Sequence, residues 1–370
     1  MAQVTIQQVA KAAGVSPSTV SNFLNGRTNR MVPATRERIV KTIAELNYRP
    51  NRAARQLRTG RTQRIGLIVP SVANPFWGAF AREVEVAALK VGCSVLLCNS
   101  EREPERERRY VEELWDDGVR GIVLCTSLPS LDHFADLIER GLHLVAFDRP
   151  AQPDDPPSVV SISIDNNLGG FLATTHLLEL GHRRIAFVAG SLRSLNRAGR
   201  YSGFRTAIEA AGLDIDDMPT WQDELGSAPS GDVEAAEVGR RAAHSLFSGE
   251  TPAPTAIVAN NDMTALGFCR GLRDLGLHVG TDVSVIGFDD IVLADLYDPP
   301  LTTVRQPIAQ LATLAVAEAI STGVEGPAGH SVLLRPQLIL RESTAPPQPA
   351  RILTGSTGES IVQGTAHGTD

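Results

Sequence analysis

The chain has 370 residues, of which 42% are hydrophobic, and it carries 35 Lys and Arg against 42 Asp and Glu, a formal net charge of −7. This length exceeds that of one small domain and predicts two or more. The beginning of the chain has no basic segment followed by an apolar core, and no later run is long and apolar enough to span a bilayer. We therefore expect a cytoplasmic protein with no membrane partner.

The charge is unevenly distributed along the chain. Residues 1–62 contain two lysines and nine arginines against Glu37 and Glu45, a net of +9 (11 − 2), and the remainder carries −16 (24 − 40). A small basic block joined to a large acidic body indicates contact with nucleic acid.

The basic block begins with three predicted helices. Thr5 and Gln8 form a capping box, Gly14 is placed to end the first helix, and Ser16 with Pro17 starts the second. A third helix is predicted from about Thr35 to Leu46. The predicted buried side chains are Ile6, Val9, Ala10, Ala13, Val20, Phe23, Leu24, Ile39, Val40 and Ile43.

Two short helices separated by a glycine turn, with hydroxyl and amide groups on the polar face of the second, are typical of a helix-turn-helix. In such a unit the second helix enters the major groove of DNA. The alternative is a small three-helix bundle whose arginines are merely solvated, which the charge of +9 disfavours.

A short basic segment over residues 49–62 follows the third helix. Pro50 breaks that helix and Asn51 can cap a new one, but the turns that follow are too short to be stable alone in water. Such a segment could fold on docking to a partner. Leu57 is apolar among arginines, and a wedge between DNA base steps or an anchor for the linker would explain it equally well.

The acidic body alternates apolar strands with helical stretches in two series. The first runs from IGLIVP to LVAFD and the second from SISID to VSVIGFDD. Continuous apolar strands joined by helical crossovers predict parallel sheets covered on both faces. The sequence therefore predicts an α/β fold with two doubly wound subdomains that face each other across a cleft.

Polar and aromatic side chains follow many of these strands, at the edge where doubly wound sheets bind ligands. A polyhydroxylated or heteroaromatic small molecule fits such a set. Asp262, ahead of an apolar helix, is expected to be a helix cap. The strand-end residues are Asn74, Phe76, Trp77, Ser127, Asp148, Arg149, Gly190, Ser191, Asn260, Asn261, Asp262, Asp289 and Asp290.

Enzyme signatures are missing from the sequence. It has no glycine-rich phosphate loop after the first strand and no HExxH pair, and its histidines are scattered singly, so His182 is expected to be structural. The four cysteines do not have the spacing of a zinc site. We expect no catalytic site, no metal and no cofactor.

Several segments, in their order and spacing, resemble the LacI/GalR family of bacterial transcription regulators. The resemblance is carried by TIQQVAKAAGVSPSTVSNFLNG (5–26), ATRERI, LNYRPN, ARQLRTGRT, NPFW (74–77), VSISIDN (160–166), ELGHRRIAFVAG (179–190), ANND, VSVIGFDD (283–290), PPLTTVRQP (299–307) and LRES. It covers nearly the whole chain up to about residue 345, and it makes the wedge the favoured interpretation of Leu57.

The resemblance implies a set of DNA-contacting residues. Pro17, Ser18 and Asn22 correspond to positions that read base edges. The remaining positions of this set are Thr5, Ser16, Thr19, Ser21, Asn25, Tyr48, Asn51, Arg52, Ala54, Arg55 and Leu57. Most similar members carry arginine where Asn22 stands, and asparagine favours adenine where arginine favours guanine, so we expect a changed base preference.

The resemblance also implies an effector pocket. Asp148, Arg200, Asn261 and Asp289 correspond to positions that hold sugar or purine effectors, with Phe76 or Trp77 as an aromatic wall. Together with the strand-end residues, the expected set is Asn74, Phe76, Trp77, Asp148, Arg149, Arg200, Asn261 and Asp289. A sugar is the favoured effector and a nucleobase or nucleoside the second choice.

The expected organisation has four parts. They are a helix-turn-helix domain (1–48), a hinge (49–62), an effector-binding and dimerisation core (63–345) and a disordered tail (346–370). Within the core we expect a first subdomain of about 63–162 and 292–324 and a second of about 163–291 and 325–345.

The predicted function is that of a DNA-binding repressor. We expect a homodimer that binds a pseudo-palindromic operator and responds to a small-molecule effector. The alternative is a transporter's solute-binding protein, which the basic block and the lack of a signal sequence disfavour.

Overall fold

The computed structural model describes residues 4–24, 27–29, 31–48, 64–126, 128, 130–192, 194–223, 234–248, 252–321 and 331–348. The chain divides into two compact units, Met1–Gln63 and Arg64–Asp370, and each is described here by itself. Several predicted features lie outside the described residues. They are Asn25, Ser127, the segment 49–62 with Asn51, Arg52, Ala54, Arg55 and Leu57, and the tail from residue 349.

The first unit contains three helices, α1 (Ile6–Ala13), α2 (Pro17–Leu24) and α3 (Pro33–Glu45). The predicted capping box is confirmed, since the Thr5 hydroxyl accepts from the Gln8 amide and the Gln8 side chain accepts from the Thr5 amide at 2.8 Å. Gly14 ends α1 in the left-handed region at φ 64°, as predicted. The buried core consists of Val9, Ala10, Ala13, Val20, Ile39 and Tyr48.

The prediction for Val40 is wrong, because this side chain is 51% exposed. Ile39, Thr42 and Ile43 form the inward stripe of α3 at helical spacing, and Val40 lies one position away from that stripe. The helix also begins at Pro33, two residues earlier than predicted. Val40 is therefore apolar but lies outside the buried face of α3.

The second unit contains two six-stranded sheets. The strands are β1 (Arg64–Val69), β2 (Ser94–Asn99), β3 (Gly121–Cys125), β4 (His143–Phe147), β5 (Val160–Ile164), β6 (Ile185–Ala189), β7 (Thr220–Gln222), β8 (Ala256–Ala259), β9 (Ser284–Asp289), β10 (Thr302–Arg305), β11 (Ser331–Leu334) and β12 (Gln337–Ile339). The helices are α4 (Pro75–Lys90), α5 (Pro104–Asp116), α6 (Ala135–Glu139), α7 (Asn166–Glu179), α8 (Leu195–Ala210), α9 (Glu234–Phe247), α10 (Asp262–Asp274), α11 (Val292–Leu296) and α12 (Ile308–Ile320).

The sheet orders are β11-β5-β4-β3-β1-β2 and β12-β10-β9-β8-β6-β7. All neighbouring strands pair in parallel except β12, which runs antiparallel to β10. Alternate residues of β1 serve different cores: Leu67 packs in one cluster with Phe80 of α4, and Ile68 packs in another with Val111 of α5. The predicted parallel α/β architecture with covered faces is confirmed.

The strand pairing differs from the expected subdomain limits in two places. β10 was expected in the first subdomain but pairs with β9 of the second sheet, and β11 was expected in the second but pairs with β5 of the first. Between them, α12 packs against α4 and against β3 to β5. The chain thus passes between the two sheets three times. The sequence of an apolar edge strand does not specify which sheet the strand joins, because that depends on the strand beside which it packs.

Close approach of α7 and α8 depends on glycines. A Cβ on Gly203 would lie 1.9 Å from the Asn167 carbonyl oxygen, and one on Gly170 would lie 2.0 Å from that of Arg200. Backbone atoms cannot move aside as a flexible side chain can. This contact sets the position of α8, and with it the position of Arg200.

None of the described helices is long and apolar enough to cross a bilayer.

Replacing Gly203 by alanine should destabilise the second unit, because the added methyl group overlaps backbone and forces α8 away from α7. We expect a loss of about 1–3 kcal/mol in the free energy of unfolding, typical of an overpacked core. Gly78→Ala is the matched control, since Gly78 lies on the exposed side of α4 with no atom within 4 Å of an added Cβ. Thermal unfolding should show a lower midpoint for Gly203→Ala and an equal or higher one for Gly78→Ala; equal midpoints for both variants would contradict the packing argument.

Candidate functional site

A polar pocket lies at the carboxyl ends of the strands of the second unit. Both sheets contribute to it, as expected for doubly wound folds. Its lining residues are Asn74, Phe76, Trp77, Arg102, Asp148, Asn196, Arg197, Arg200, Asn260, Asn261, Asp289 and Gln306.

Arg200, on α8, is the most constrained cation of the pocket. It is 5% exposed, donates to the Asn260 carbonyl at 2.7 Å and to the Asn166 side chain at 2.9 Å, and has its guanidinium carbon 3.7 Å from the Phe288 ring centroid. Asp289 lies 3.8 Å from its Nη2. These contacts fix the guanidinium in one orientation, so it presents its donors to a ligand with little loss of side-chain entropy.

The two pocket carboxylates are held by strained backbone and by amide partners. Asp148 has φ 61° and Asp289 has φ 117°, regions that non-glycine residues rarely adopt. Asp148 accepts a hydrogen bond from the Asn196 side chain, whose Oδ1 accepts in turn from Ser194. Asp289 accepts from Gln306 at 2.7 Å. Carboxylates in such positions can accept from the hydroxyl groups of a ligand.

The predicted aromatic wall is present but mostly covered. Trp77 is 4% exposed and Phe76 is 2% exposed, and their rings meet edge to face at 4.9 Å. Trp77 also packs edge-on against Phe80 and Phe147. The rings therefore present a narrow apolar edge to the pocket rather than an open stacking face.

Seven of the eight expected effector residues line the pocket, and Arg149 does not. Arg149 is fully buried and pairs with Asp155, its Nη1 lying 2.9 Å from Oδ1 and 3.0 Å from Oδ2. It follows Asp148 directly after β4, but its side chain pairs with Asp155 and does not line the pocket. Arg149 instead anchors the loop that follows β4.

The expectation that Asp262 caps a helix is wrong. The N-cap of α10 is Asn261, whose side chain accepts from the Thr264 amide at 2.9 Å. Asp262 is fully buried, where it accepts from the Thr303 hydroxyl at 2.6 Å and from the Ile291 amide at 2.8 Å. Burial, with Asp289 nearby, raises the pKa of the Asp262 carboxyl well above its usual value.

Asn260 was predicted as a strand-end residue, and four further lining residues were not predicted: Arg102, Asn196, Arg197 and Gln306. Gln306 directly follows β10, so the strand-end rule that selected the others also applies to it. Asn196 and Arg197 lie in the first turn of α8, away from any strand end in sequence. Only the position of α8 brings them to the pocket.

The surface of α2 forms the second candidate site. Ser16, Pro17, Ser18 and Asn22 are exposed and Thr19 is half-buried. The Ser16 hydroxyl lies 2.7 Å from that of Ser18 and 2.8 Å from that of Thr19, and it accepts from the Thr19 amide. A row of short polar groups on a protruding helix suits contact with base edges and phosphates.

Two of the expected DNA contacts are buried in the first unit. Ser21 is 8% exposed and Tyr48 is 9% exposed, and the Tyr48 ring belongs to the core with Val9 and Ile39. Thr5 is exposed and caps α1. Both side chains are therefore part of the packing of the first unit.

His182 is structural, as expected. Its ring nitrogens lie 2.8 Å from the Thr255 hydroxyl, 3.1 Å from that of Ser284 and 2.9 Å from the Ala345 carbonyl. Burial lowers the pKa of this imidazole. Over the described ranges, no group of three or more His, Cys, Asp or Glu side chains is placed to hold a metal ion.

Both units match known protein families. Residues 5–51 match the model described as bacterial regulatory proteins, lacI family, and residues 174–344 match a periplasmic binding protein-like domain. The first match contains the helix-turn-helix, and the second contains all six strands of the second sheet.

Relatives and solved structures extend the similarity along the chain. The chain is 36% identical over 350 residues to the HTH-type transcriptional regulator DegA of Bacillus subtilis, covering 93% of this chain and 99% of that protein. The structure of the Lac repressor dimer bound to operator and the anti-inducer ONPF has 28% identity and a TM-score of 0.77, with coverage of 93% and 100%. The complex of the transcriptional regulator CelR with cellobiose has 31% identity and a TM-score of 0.66, with coverage of 92% and 100%.

The resemblance inferred from the sequence motifs is confirmed by these matches. They span both the helix-turn-helix unit and the two-sheet unit with its pocket. The protein is a transcriptional regulator, and the chain belongs to the lacI family of bacterial regulatory proteins.

Proposed function

We propose that this regulator is a cytoplasmic repressor that binds a pseudo-palindromic operator as a homodimer and responds to a small molecule held between its two sheets. The observation that carries the proposal is the presence, in one chain, of an exposed polar helix α2 and a polar pocket at strand ends. The operator-bound Lac repressor dimer, which this chain resembles over 93% of its length, supports the same assembly. A transporter's solute-binding protein does not require a helix-turn-helix unit, so the presence of that unit disfavours this alternative.

In this proposal Pro17, Ser18 and Asn22 read base edges. Thr5, Ser16 and Thr19 contact phosphates, and their hydroxyl groups are short enough to hold α2 close to the DNA backbone. In the sequence, the basic segment 49–62 lies between the helix-turn-helix unit and the two-sheet unit. Its Leu57 inserts between base steps near the operator centre. Effector binding changes the spacing of the two paired hinges and so shifts the population that can bind the operator.

A carbohydrate is the effector class that the pocket favours. Asp148, Asp289 and Gln306 supply acceptors and donors for hydroxyl groups, and the guanidinium of Arg200, held by Asn166 and Asn260, also lines the pocket. The similarity to a regulator whose structure contains cellobiose is consistent with this class. A nucleobase is the second candidate, but the edge-on, covered rings of Phe76 and Trp77 offer it little stacking surface.

Asp148→Asn should weaken effector binding about 10- to 100-fold, because the variant keeps the shape of the side chain but loses a charged acceptor. Calorimetric titration of the full chain with sugars and nucleobases measures this and identifies the class of ligand. Asp154→Asn, at an exposed position of the loop after β4, is the control and should leave binding unchanged. Equal affinities for both variants would remove Asp148 from the site.

Leu57→Ala should reduce specific operator affinity about tenfold or more while leaving non-specific DNA binding unchanged, because only the wedge depends on unstacked operator bases. Gel-shift titrations with operator and with unrelated DNA measure both affinities. Leu340→Ala, at a site 61% exposed in the second unit, serves as the control. An unchanged specific affinity for Leu57→Ala would rule out the wedge.

Asn22→Arg should change the preferred base at one operator position from adenine towards guanine, because the guanidinium matches O6 and N7 of guanine. Selection of binding sites from random DNA reads this preference directly. Gln7→Arg, which adds the same charge on the exposed side of α1, should strengthen binding to all sequences alike. If both variants select the same sequences as the parent protein, Asn22 does not read a base.

A further inference from the structure

The pocket contains more positive than negative side chains. Its lining carries three arginines, Arg102, Arg197 and Arg200, against two carboxylates, Asp148 and Asp289, a net of +1 (3 − 2). Neutral sugars need hydroxyl-binding carboxylates and amides, and those are present. A neutral ligand does not require Arg102 and Arg197 in addition to Arg200.

The carboxylates around the pocket also have partners within the protein. Asp289 accepts from Gln306 and lies near Arg200, and Asp148 accepts from Asn196. Asp290, next in the chain, pairs with Arg305 and with Arg341, the latter at 2.7 Å. Asp262 lies behind Asp289, and its burial favours the neutral acid.

Arg102 is presented by an unusual turn after β2. Glu101 and Arg102 have φ 52° and 60°, two consecutive non-glycine residues in the left-handed region. Arg106 pairs with Glu101 at 2.6 Å and with Glu103 at 3.1 Å, and these contacts hold the turn.

Glu107, in the first turn of α5, is a buried acid that interacts with Arg102. It is 3% exposed, and burial raises the pKa of its carboxyl to about 7 although Arg102, Ser100 and Thr126 lower it. Glu107 is therefore ionised only in part at neutral pH.

Arg197 and the start of α8 form the opposite wall. Arg197 donates from Nη1 to the Ser191 carbonyl at 3.2 Å, beside Gly190, where a Cβ would lie 3.3 Å from the same nitrogen. The N-caps of α4 and α10 are Asn74 and Asn261, whose side chains accept from the first turn. In α8 the N-cap Ser194 makes no such bond, and the Arg197 amide donates to the Asn196 side chain at 2.8 Å. The amino-terminal end of α8, with its partial positive charge, thus adds to Arg197.

We propose that Arg102, Arg197 and the first turn of α8 form an anion subsite, and that the effector is an acidic carbohydrate, bearing a phosphate or a carboxylate. The inference rests on the proposed function, whose ligand class it narrows. The neutral part of the ligand lies against Asp148, Asp289 and Arg200. The acidic group bridges Arg102 after β2 and Arg197 after β6, so it draws together walls contributed by the two sheets.

Calorimetric titration of the full chain tests the proposal. The ligands are inorganic phosphate and a panel of hexoses and pentoses, each as the neutral sugar, the terminal phosphate and the sugar acid. We expect inorganic phosphate to bind, and at least one acidic form to bind about tenfold or more tighter than its neutral parent, as a charge-assisted contact provides. Comparison of the sugar phosphates with the sugar acids shows whether the subsite binds a phosphate or a carboxylate.

Two variants and a control locate the subsite. Arg102→Gln and Arg197→Gln should each reduce the preference for the acidic form to about twofold or less, with thermal unfolding used to verify folding. Arg205→Gln, on the exposed side of α8 where Arg205 pairs with Glu209, should keep the preference. Neutral sugars that bind as tightly as their acidic forms, no binding of inorganic phosphate, or an unchanged preference in both variants would each overturn the inference.

Operator binding separates this inference from the proposed function. If a neutral sugar alters operator affinity in a gel shift, the proposed function stands and the acidic effector is wrong. If an acidic sugar binds through Arg102 and Arg197 but leaves operator affinity unchanged, the subsite is right and the proposed function fails.

Discussion

The arrangement of the pocket in the second unit depends on the buried guanidinium of Arg200. A desolvated cation must be paired and hydrogen-bonded, and removing one partner of a buried pair costs about 3–5 kcal/mol. Arg200 meets this need through Asn166 at the start of α7, the Asn260 carbonyl after β8 and Asp289 at the end of β9. One side chain thereby links two helices and two strand ends. The pocket floor is fixed before a ligand arrives, which lowers the entropic cost of binding.

The approach of α7 and α8 makes this arrangement possible. Gly170 and Gly203 let the two helices meet at backbone distance, and the Arg200 carbonyl is itself one of the contacting groups. Any side chain at either glycine would displace the guanidinium from its partners. The position of a binding residue here depends on residues that never touch the ligand, and α8 carries both Arg200 and the amino-terminal turn with Asn196 and Arg197.

Charge separates the two tasks of the chain. The +9 of residues 1–62 favours phosphates, and the −16 of the remainder opposes wrapping of the body on DNA, so long-range electrostatics direct the protein to DNA through its basic end. The net value of −7 hides this division. Within the second unit the net charge of the pocket lining is positive, whereas the body as a whole is acidic.

The sequence by itself determined the elements and the class of the protein, because these depend on local pattern. The capping box at Thr5, the left-handed Gly14 and the apolar strands follow from neighbouring residues, and strand-end position found seven of the pocket residues. The tertiary structure decided which sheet takes β10 and β11, that Arg149 points to Asp155, that Asn261 rather than Asp262 caps α10, and that Arg102 and Arg197 reach the pocket. Each of these depends on residues distant in the chain: an edge strand pairs with whichever neighbour it meets, and a side chain's direction is set by the packing of its whole element.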